Sequence, residues 1–384
     1  MATKAPGTGA HALNPEKIMS RRMTVAAVLV TLGCADPGAV TSPDRGASFV
    51  QAPAACSAGQ GQQFIDAGEY KKAIQEFSCL IQLDPTAVEG YRGRIEARLL
   101  LGEFAEAQRD YTQLTAFAEP LHPDAYQTIT AGYSARLAID PDAVAALTGL
   151  SFAHWYFFNY PATMHTISHL LDVEPDNLYG TLFQGSSRVL MGTKRAEGAA
   201  DLERAIQLDP SSPDVRFIVA DAYTYGSLPD LQRAFLEATI ALQGGLNTAR
   251  VRAIRGAAYN AFGNTPAAAA EIAIHFDLVT TELVGTSPLT AGSSKTVALV
   301  PGRSYEIPLP VTAGQTVSVA TSSKDYWDTI LVLLAPDGTP VLGADDTKGY
   351  MAGFDWVAPG GGTYKMRVTF FESVNTGDLL VSRK

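Results

Sequence analysis

The sequence has little of what reactive or heavily cross-linked proteins are made from. Its 384 residues include three Cys and six His, which excludes a disulfide-rich scaffold and leaves little material for a zinc site. Positive charge is also scarce, because 29 Lys and Arg stand against 39 Asp and Glu, for a net charge of −10. Nucleic-acid-binding proteins usually carry a basic face, so we expect no nucleic-acid partner.

Long apolar runs are missing as well. The longest, residues 23–33, has 11 residues, whereas a membrane-spanning helix needs about 20. What the chain does have is material for burial, since hydrophobic residues make up 46% of it and charged residues 18%. At about 100–200 residues per domain, its length predicts two or three folded domains.

The N-terminus has the pattern of an export signal. Arg21 and Arg22 directly precede the apolar stretch MTVAAVLVTLG. A cationic patch before a short apolar stretch is typical of a secretory signal peptide. We interpret residues 1–33 as an over-long start plus this signal, and residues 34–53, rich in Pro, Gly, Ala and Ser, as a flexible tether.

Two outcomes are open for Cys34. It follows Gly33 at the end of the apolar stretch, and this arrangement resembles a bacterial lipobox, whose Cys becomes lipidated after cleavage. The alternative is plain cleavage with an incidental Cys. We therefore expect an exported bacterial protein, either a cell envelope lipoprotein attached to the membrane through Cys34 or a secreted protein.

A tripeptide recurs through the middle of the chain. Its copies are Leu83-Asp84-Pro85, Ile139-Asp140-Pro141, Val173-Glu174-Pro175 and Leu208-Asp209-Pro210. The last three lie 34 and 35 residues apart, and a period near 34 is that of the tetratricopeptide repeat. The repeat that ends at Pro85 also has small and large residues at the positions where that family has them. They are Gly61, Phe64, Gly68, Tyr70, Ala73 and Phe77.

Residues 54–283 therefore resemble a tetratricopeptide array of about six repeats, which implies an all-α solenoid. The period breaks near residues 120–141, where there is room for one helix, at about 124–138, instead of a pair. Helix pairs bury each other's faces when they stack, so an unpaired helix should bend or divide the array.

The resemblance also implies a binding mode. In this family the first helix of each pair lines a concave groove that holds an extended partner segment. Projected onto this sequence, the groove residues are Arg92, Glu96, Phe152, Trp155, Tyr156, Phe183, Met191, Phe217, Asp221, Tyr225 and Asn260. Within AHWYFFNY, four consecutive aromatic residues cannot all face one side of a helix, so some should be exposed in the groove. The alternative is packing between repeats.

The helical region also contains two smaller groups of reactive residues. Cys56 and Cys79 stand where an antiparallel helix pair brings its ends together, so they predict a disulfide in an oxidising compartment; two separate thiols are the alternative. His165 and His169 have a spacing that could hold a metal. They lack the Glu of the HExxH motif, so a solvated or packed pair is favoured and no metal is expected.

The C-terminal part changes character. Residues 284–294 predict a linker, and residues 295–384 alternate in short runs separated by turns such as PDGT and PGGG, which predicts an all-β sandwich, jelly-roll-like in form. The segment resembles the bacterial pre-peptidase C-terminal domain, which is found on exported proteins. The resemblance rests on Tyr305, Gly314-Gln315-Thr316-Val317, Asp328, Leu331, Leu333, Pro336-Asp337-Gly338, Asp345-Asp346, Gly362-Thr363-Tyr364, Arg367-Val368 and Gly377-Asp378.

Acidic residues in this segment are weak calcium candidates, since carboxylate oxygens are the ligands that calcium takes. They are Asp328, Asp345, Asp346 and Asp355. Capping of turns is the commoner use of such residues, and no complete ligand spacing is present. We expect no cofactor.

Motifs of the common enzyme classes are missing: there is no GxSxG, no HExxH and no phosphate-binding glycine loop. The sequence therefore favours an exported, non-catalytic scaffold that binds a protein or peptide partner, with the β-sandwich contacting a surface, a polymer or another domain. Two alternatives stay open. One is a hydrolase-associated or metal-dependent enzyme with an unrecognised site, and the other is a self-associating structural envelope protein. The oligomeric state is not predicted.

Overall fold

A computed structural model describes residues 56–114, 123–300, 302–324, 328–345, 351–370 and 377–384. The predicted leader, the predicted tether up to residue 53 and Cys34 lie outside these residues. In the described part of the chain, no helix combines the length and the apolar character needed to cross a bilayer.

Thirteen helices fill the first part of the described chain, followed by nine strands. The helices are α1 (Ala58–Asp66), α2 (Tyr70–Leu83), α3 (Val88–Leu101), α4 (Phe104–Leu114), α5 (Pro123–Ile139), α6 (Val144–Tyr156), α7 (Tyr160–Val173), α8 (Leu178–Met191), α9 (Arg195–Leu208), α10 (Pro213–Tyr225), α11 (Leu231–Gln243), α12 (Ala249–Ala261) and α13 (Thr265–Val279). They form six antiparallel pairs with the single helix α5 between the second and third pairs, so the region is a tetratricopeptide-like solenoid.

Three of the four copies of the recurring tripeptide end the second helix of a pair, and the copy at Ile139 ends the single helix α5. Pro85 has no N–H and disfavours a helical conformation in the residue before it, and Asp84 is accordingly extended, with φ −138°. The Asp84 carboxylate then accepts a hydrogen bond from the N–H of Thr86 at 2.8 Å. Chain reversal at this point brings the next pair alongside the previous one.

Helix α5 lies against α3 and α6. The Tyr133 hydroxyl donates to the carbonyl oxygen of Leu99, and Arg136 Nη2 donates to that of Leu100 at 2.9 Å. On the other side, a Cβ placed on Gly149 of α6 would lie 2.0 Å from the Tyr133 ring. Gly149 therefore lets α6 approach α5 closely, and the unpaired helix becomes part of the stack.

The strands form two sheets. They are β1 (Glu282–Gly285), β2 (Ser294–Leu299), β3 (Arg303–Val311), β4 (Thr316–Ser323), β5 (Thr329–Leu334), β6 (Pro340–Asp345), β7 (Gly353–Val357), β8 (Gly362–Phe370) and β9 (Gly377–Arg383). One sheet has the order β1-β3-β8-β5-β6 and the other β2-β9-β4-β7. All pairings are antiparallel except β1 with β3.

Strand β1 changes the predicted boundaries. The last helix ends at Val279, and residues 282–285, split between the predicted array and the predicted linker, pair with β3. The pairing uses backbone groups at a sheet edge, and only one of the four side chains is even half-buried. Side-chain alternation therefore carried no signal for this strand.

The array and the sandwich share a core. Ile272 and Phe276 of α13 pack against Ile330, Val332 and Leu334 of β5. The remaining side chains of β5 point into the core between the two sheets, so all six of its residues are buried. The sandwich thus covers the last helix of the array, which has no following repeat to bury its apolar face.

Candidate functional site

The concave side of the middle repeats is filled by another part of the same array. Helix α4 extends from its partner α3 across α6, α8 and α10. The Tyr111 ring of α4 lies 5.6 Å from the Trp155 ring and 4.3 Å from the Tyr156 ring, and Phe104 lies 6.2 Å from Tyr179 of α8. Six of the eleven residues of α4 are buried, as expected for a helix packed on two sides.

A polar contact extends this packing to α10. A hydrogen bond joins the Thr112 side chain of α4 to the Asp214 carboxylate. Burial raises the pKa of Asp214, and this hydrogen bond together with the nearby Arg109 partly opposes the rise. Helix α4 thus holds the array closed across the first helices of three successive repeats.

The aromatic residues predicted to line an exposed groove lie in this interior instead. They are Phe152, Trp155, Tyr156, Phe183 and Phe217, each no more than 6% exposed. Trp155 stacks on Phe183 with 4.6 Å between ring centroids, and its Nε1 donates to the Ser186 hydroxyl at 3.2 Å. Within AHWYFFNY, Phe158 is 45% exposed, but the exposure predicted for these five residues was wrong. Helix α4 packs on Trp155 and Tyr156, and Phe152 packs on Phe183 of the next repeat. The alternative, packing between repeats, describes them correctly.

The other predicted groove residues are dispersed. Asp221 and Tyr225 both contact Arg250 of α12, with an ion pair of 3.1 Å and a guanidinium 4.0 Å above the Tyr225 ring. Asn260 donates to the carbonyl oxygen of Gly343 in β6 at 3.1 Å, so it belongs to the interface with the sandwich and not to a groove. Met191 is half-buried at the end of α8. For these residues partner binding stays a prediction.

Arg92 and Glu96 lie together, in an open cleft at the N-terminal end of the array. The cleft has a volume of about 350 Å³ and lies between α1, α3 and α5. Its walls include Gln62 of α1, Phe77 of α2, Arg92, Gly93 and Glu96 of α3, and Thr128 of α5. We call this the N-terminal cleft.

Glycines shape the N-terminal cleft. A Cβ on Gly93 would lie 2.1 Å from the Phe77 ring, and one on Gly61 would lie 2.5 Å from it. Only glycine allows α1 and α3 to approach that ring from both sides. The Phe77 ring then forms the floor of the cleft.

Glu96 is the unusual group in the cleft. It is 5% exposed, and its Oε1 is buried without a hydrogen-bond partner in the described structure. Burial, with a smaller contribution from Asp66, raises the pKa of Glu96 to about 7. Near neutral pH this carboxyl is therefore divided between its charged and neutral forms, and a hydrogen-bond donor or a cation in the cleft would favour the charged form.

A second cleft, of about 470 Å³, lies where α4, α6 and α8 begin. Its polar lining groups bond to one another, since Asn177 Nδ2 donates to Glu174 Oε2 at 2.6 Å and to Thr148 Oγ1 at 3.4 Å. None of the buried, unpartnered polar atoms of the described residues lies in its wall. It is therefore a weaker candidate for recognition than the N-terminal cleft, despite its size.

The structure joins Cys56 and Cys79 by a disulfide, with their Cα atoms 6.0 Å apart. The bond ties the start of α1 to α2, beside the N-terminal cleft.

His169 contacts Asp142 at 2.8 Å. Among the described residues, no three His, Cys, Asp or Glu side chains are placed to share a metal ion. Of the calcium candidates, Asp328 is half-buried and Asp355 is exposed on β7, while Asp346 and the side chain of Asp345 lie outside the described part.

Sequence reasoning missed a set of buried ion pairs that link helices within the repeats. Asp110 of α4 accepts from Arg94 and Arg98, Glu237 of α11 pairs with Arg216 and Arg233, and Glu271 of α13 pairs with Arg252 and Arg255. The signal was available, because the second, fourth, fifth and sixth pairs each carry an arginine on the first helix and an acid in the middle of the second.

Comparison with known proteins finds solved structures that are similar to parts of this chain at 12–18% sequence identity. No protein-family model matches the sequence, and no curated protein matches it. Among solved structures, a tetratricopeptide protein of Thermus thermophilus is similar over 53% of this chain and 97% of its own, at 18% identity and a TM-score of 0.33. A tetratricopeptide repeat protein from Parabacteroides merdae is similar over 58% of this chain and 77% of its own length, at 16% identity and a TM-score of 0.34. The pre-peptidase C-terminal domain of a collagenase from Bacillus anthracis is similar over 27% of this chain and 94% of its own length, at 12% identity and a TM-score of 0.23.

Proposed function

We propose that the protein is an exported, non-catalytic interaction protein that holds an extended segment of a partner protein in the N-terminal cleft. The observation that carries this proposal is the contrast along the array. Helix α4 covers the first helices of the middle repeats, whereas α1, α3 and α5 surround an open cleft with a buried, unpartnered carboxyl. Clefts that bind ligands combine apolar walls with a few placed polar groups. In this cleft Phe77, Ala58 and Ala125 supply apolar surface, and polar or charged side chains make up the other half of the wall.

The sandwich is then an accessory domain that positions the array. Because α13 and β5 share a core, a surface, polymer or domain bound by the sandwich would present the array in a fixed orientation. Export is supported by the signal pattern before Cys34 and fits the disulfide between Cys56 and Cys79, since such bonds persist in oxidising compartments.

The role of the cleft is tested by photo-crosslinking from two matched glutamines. A benzophenone amino acid replaces Gln62, which lines the cleft, or Gln75, which is exposed on α2 outside its lining. We expect a defined protein in the envelope fraction to be crosslinked from position 62 and not from position 75. Equal crosslinking from both positions, or none from position 62, would contradict the proposal.

Export is tested separately by the intact mass of the protein purified from its native cell envelope. A mature chain that begins at Cys34 and carries diacylglycerol would support the lipoprotein form. A chain that begins near residue 34 without lipid would support secretion. A full-length chain recovered from the cytoplasm would contradict export.

A further inference from the structure

Four of the five Asp and Glu that are buried among the described residues have an arginine or a hydrogen-bonding side chain at their carboxylate. Asp110, Glu237 and Glu271 each contact two arginines. Asp214 is joined to the Thr112 side chain by a hydrogen bond and has Arg109 nearby, although its Oδ1 has no hydrogen-bond partner in the described structure. Glu96 is the fifth, and no hydrogen bond or ion pair is formed by its carboxyl in the described structure. A buried carboxylate without a partner is costly, so this position calls for an explanation.

The surroundings of Glu96 favour a positive charge. Asp66 at the end of α1 is close enough to disfavour ionisation of Glu96, and Glu89 also lines the cleft. Among the described residues of the wall, Arg92 is the one cation, and it already lies 3.0 Å from Glu89. The lining residues from α2 and α5, which are Phe77, Ala125 and Thr128, carry no charge. Three carboxyl groups thus stand against one guanidinium.

The cleft has the size and the lining for one long side chain. A volume of about 350 Å³ is near the lower end for a ligand pocket. Phe77 and Ala125 supply an apolar wall for a methylene stem, and lysine and arginine pack such stems on apolar surface while their charged ends reach a polar partner. Glu96, in the same wall, offers a carboxyl to that charged end.

We propose that Glu96 is the recognition group for a lysine or arginine side chain of the partner segment. This side chain enters the N-terminal cleft and makes with Glu96 an ion pair like those that the array makes internally at Asp110, Glu237 and Glu271. This inference rests on the proposed function, because it names the chemistry of the partner that the cleft would hold. The occupant is a basic peptide segment of another protein.

The test uses the full chain and a displayed library of random linear heptapeptides. Peptides selected on the unaltered protein are synthesised, and their dissociation constants are measured by fluorescence anisotropy. Three variants are compared: Glu96→Gln, which keeps the shape of the side chain; Thr128→Trp, which fills the cleft from an exposed position of α5; and Glu69→Gln, which removes a carboxylate from the exposed turn before α2. Circular dichroism and thermal unfolding check that each variant is folded.

The expected result has three parts. Selected peptides share a lysine or arginine at one position, Thr128→Trp abolishes their binding, and Glu96→Gln weakens it at least tenfold while Glu69→Gln leaves it unchanged. Replacing the shared lysine by norleucine, or the shared arginine by citrulline, weakens binding to the unaltered protein by a similar factor. The same peptide replacement should weaken binding to Glu96→Gln little further, because the peptide change and the protein change remove the same ion pair.

The remaining outcomes distinguish the two proposals. Peptides that Thr128→Trp blocks, but that share no cation or bind Glu96→Gln equally well, would overturn the role of Glu96 and leave the cleft as a binding site. Failure to select any peptide that Thr128→Trp blocks would overturn both.

Discussion

The middle and the N-terminal end of the array differ in what covers their inner side. In the middle repeats, α4 lies across α6, α8 and α10, and the aromatic side chains there form a closed interior. At the N-terminal end, α1, α3 and α5 leave a cleft with a buried acid and no internal partner for it. The comparison teaches that a repeat pattern identifies the inward-facing residues of each helix pair but does not say whether that inner side is free.

The buried acids show the same contrast at the level of chemistry. Asp110 pairs with two arginines in the closed region. Glu96 follows Arg92 by four residues on α3, but no ion pair joins the two in the described structure. The fold thus provides ion-pair partners for the carboxylate of Asp110, whereas the carboxyl of Glu96 lines a cleft.

The largest effect is expected from opening the closed region. Tyr111→Ala removes the α4 ring that packs between Trp155 and Tyr156, and truncation of a buried aromatic costs about 3–5 kcal/mol. Urea unfolding should show this loss. Phe262→Ala, at a ring that is 47% exposed, is the matched control and should cost far less. Equal losses for the two variants would mean that α4 does not cover the groove.

The second prediction concerns the wall of the open cleft. Replacing both Cys56 and Cys79 by Ser should lower the free energy of unfolding by about 3 kcal/mol, because the bond closes a loop in the unfolded chain. Hydrogen exchange should speed up in α1 and α2 and stay unchanged in α6 and α8. Uniform acceleration along the whole array would contradict a division into two differently stabilised regions.

Glu96→Gln should stabilise the protein. The pKa of Glu96 is raised from 4.5 to about 7, so the ionised form is disfavoured in the folded state. This cost begins as the pH rises above the unfolded pKa and is complete above the folded one. We expect the variant to be more stable by about 1–3 kcal/mol at pH 8 and equal to the unaltered protein at pH 4.

Asp110→Asn provides the opposite case at the same pH values. It removes the acceptor of two buried arginines, so it should destabilise the protein at pH 8. If Glu96→Gln also destabilised it, Glu96 would have a structural role like that of Asp110, and the distinction between the two acids would fail.

The smallest effect is expected at an exposed ion pair of the same repeat. Glu69 contacts Lys72 at 2.8 Å, and both side chains are well exposed. Such pairs contribute little, so Glu69→Gln should change the free energy of unfolding by less than about 0.5 kcal/mol in urea titrations. A larger loss of stability would show that exposed ion pairs contribute substantially to the free energy of unfolding of this array.

Much of the fold could be predicted from the sequence, because the relevant signals are local. The Asp-Pro tripeptides mark helix ends through backbone chemistry at Asp84 and Pro85, and the period between them gave the helix pairs. The gap in that period predicted an unpaired helix at about 124–138, and the structure has α5 at Pro123–Ile139.

The exposure of the site residues could not be predicted, because it depends on contacts between distant parts of the chain. Trp155 is buried by Tyr111, which belongs to another repeat. Asn260 lies against Gly343, which belongs to the other domain. For Glu96, the sequence predicted a place on the inner side of α3, but the absence of an arginine partner became visible only once the neighbouring helices were in place.

Tryptophan quenching tests the central contrast most directly. One variant keeps Trp155 as the sole tryptophan, with Trp327→Phe and Trp356→Phe, and the second adds Trp155→Phe and Gln62→Trp to place the sole tryptophan at the N-terminal cleft. We predict blue-shifted emission and weak acrylamide quenching for Trp155 beneath α4, and red-shifted emission with strong quenching at position 62. Strong quenching of Trp155 would show that α4 does not cover it and that the concave side of the middle repeats is open.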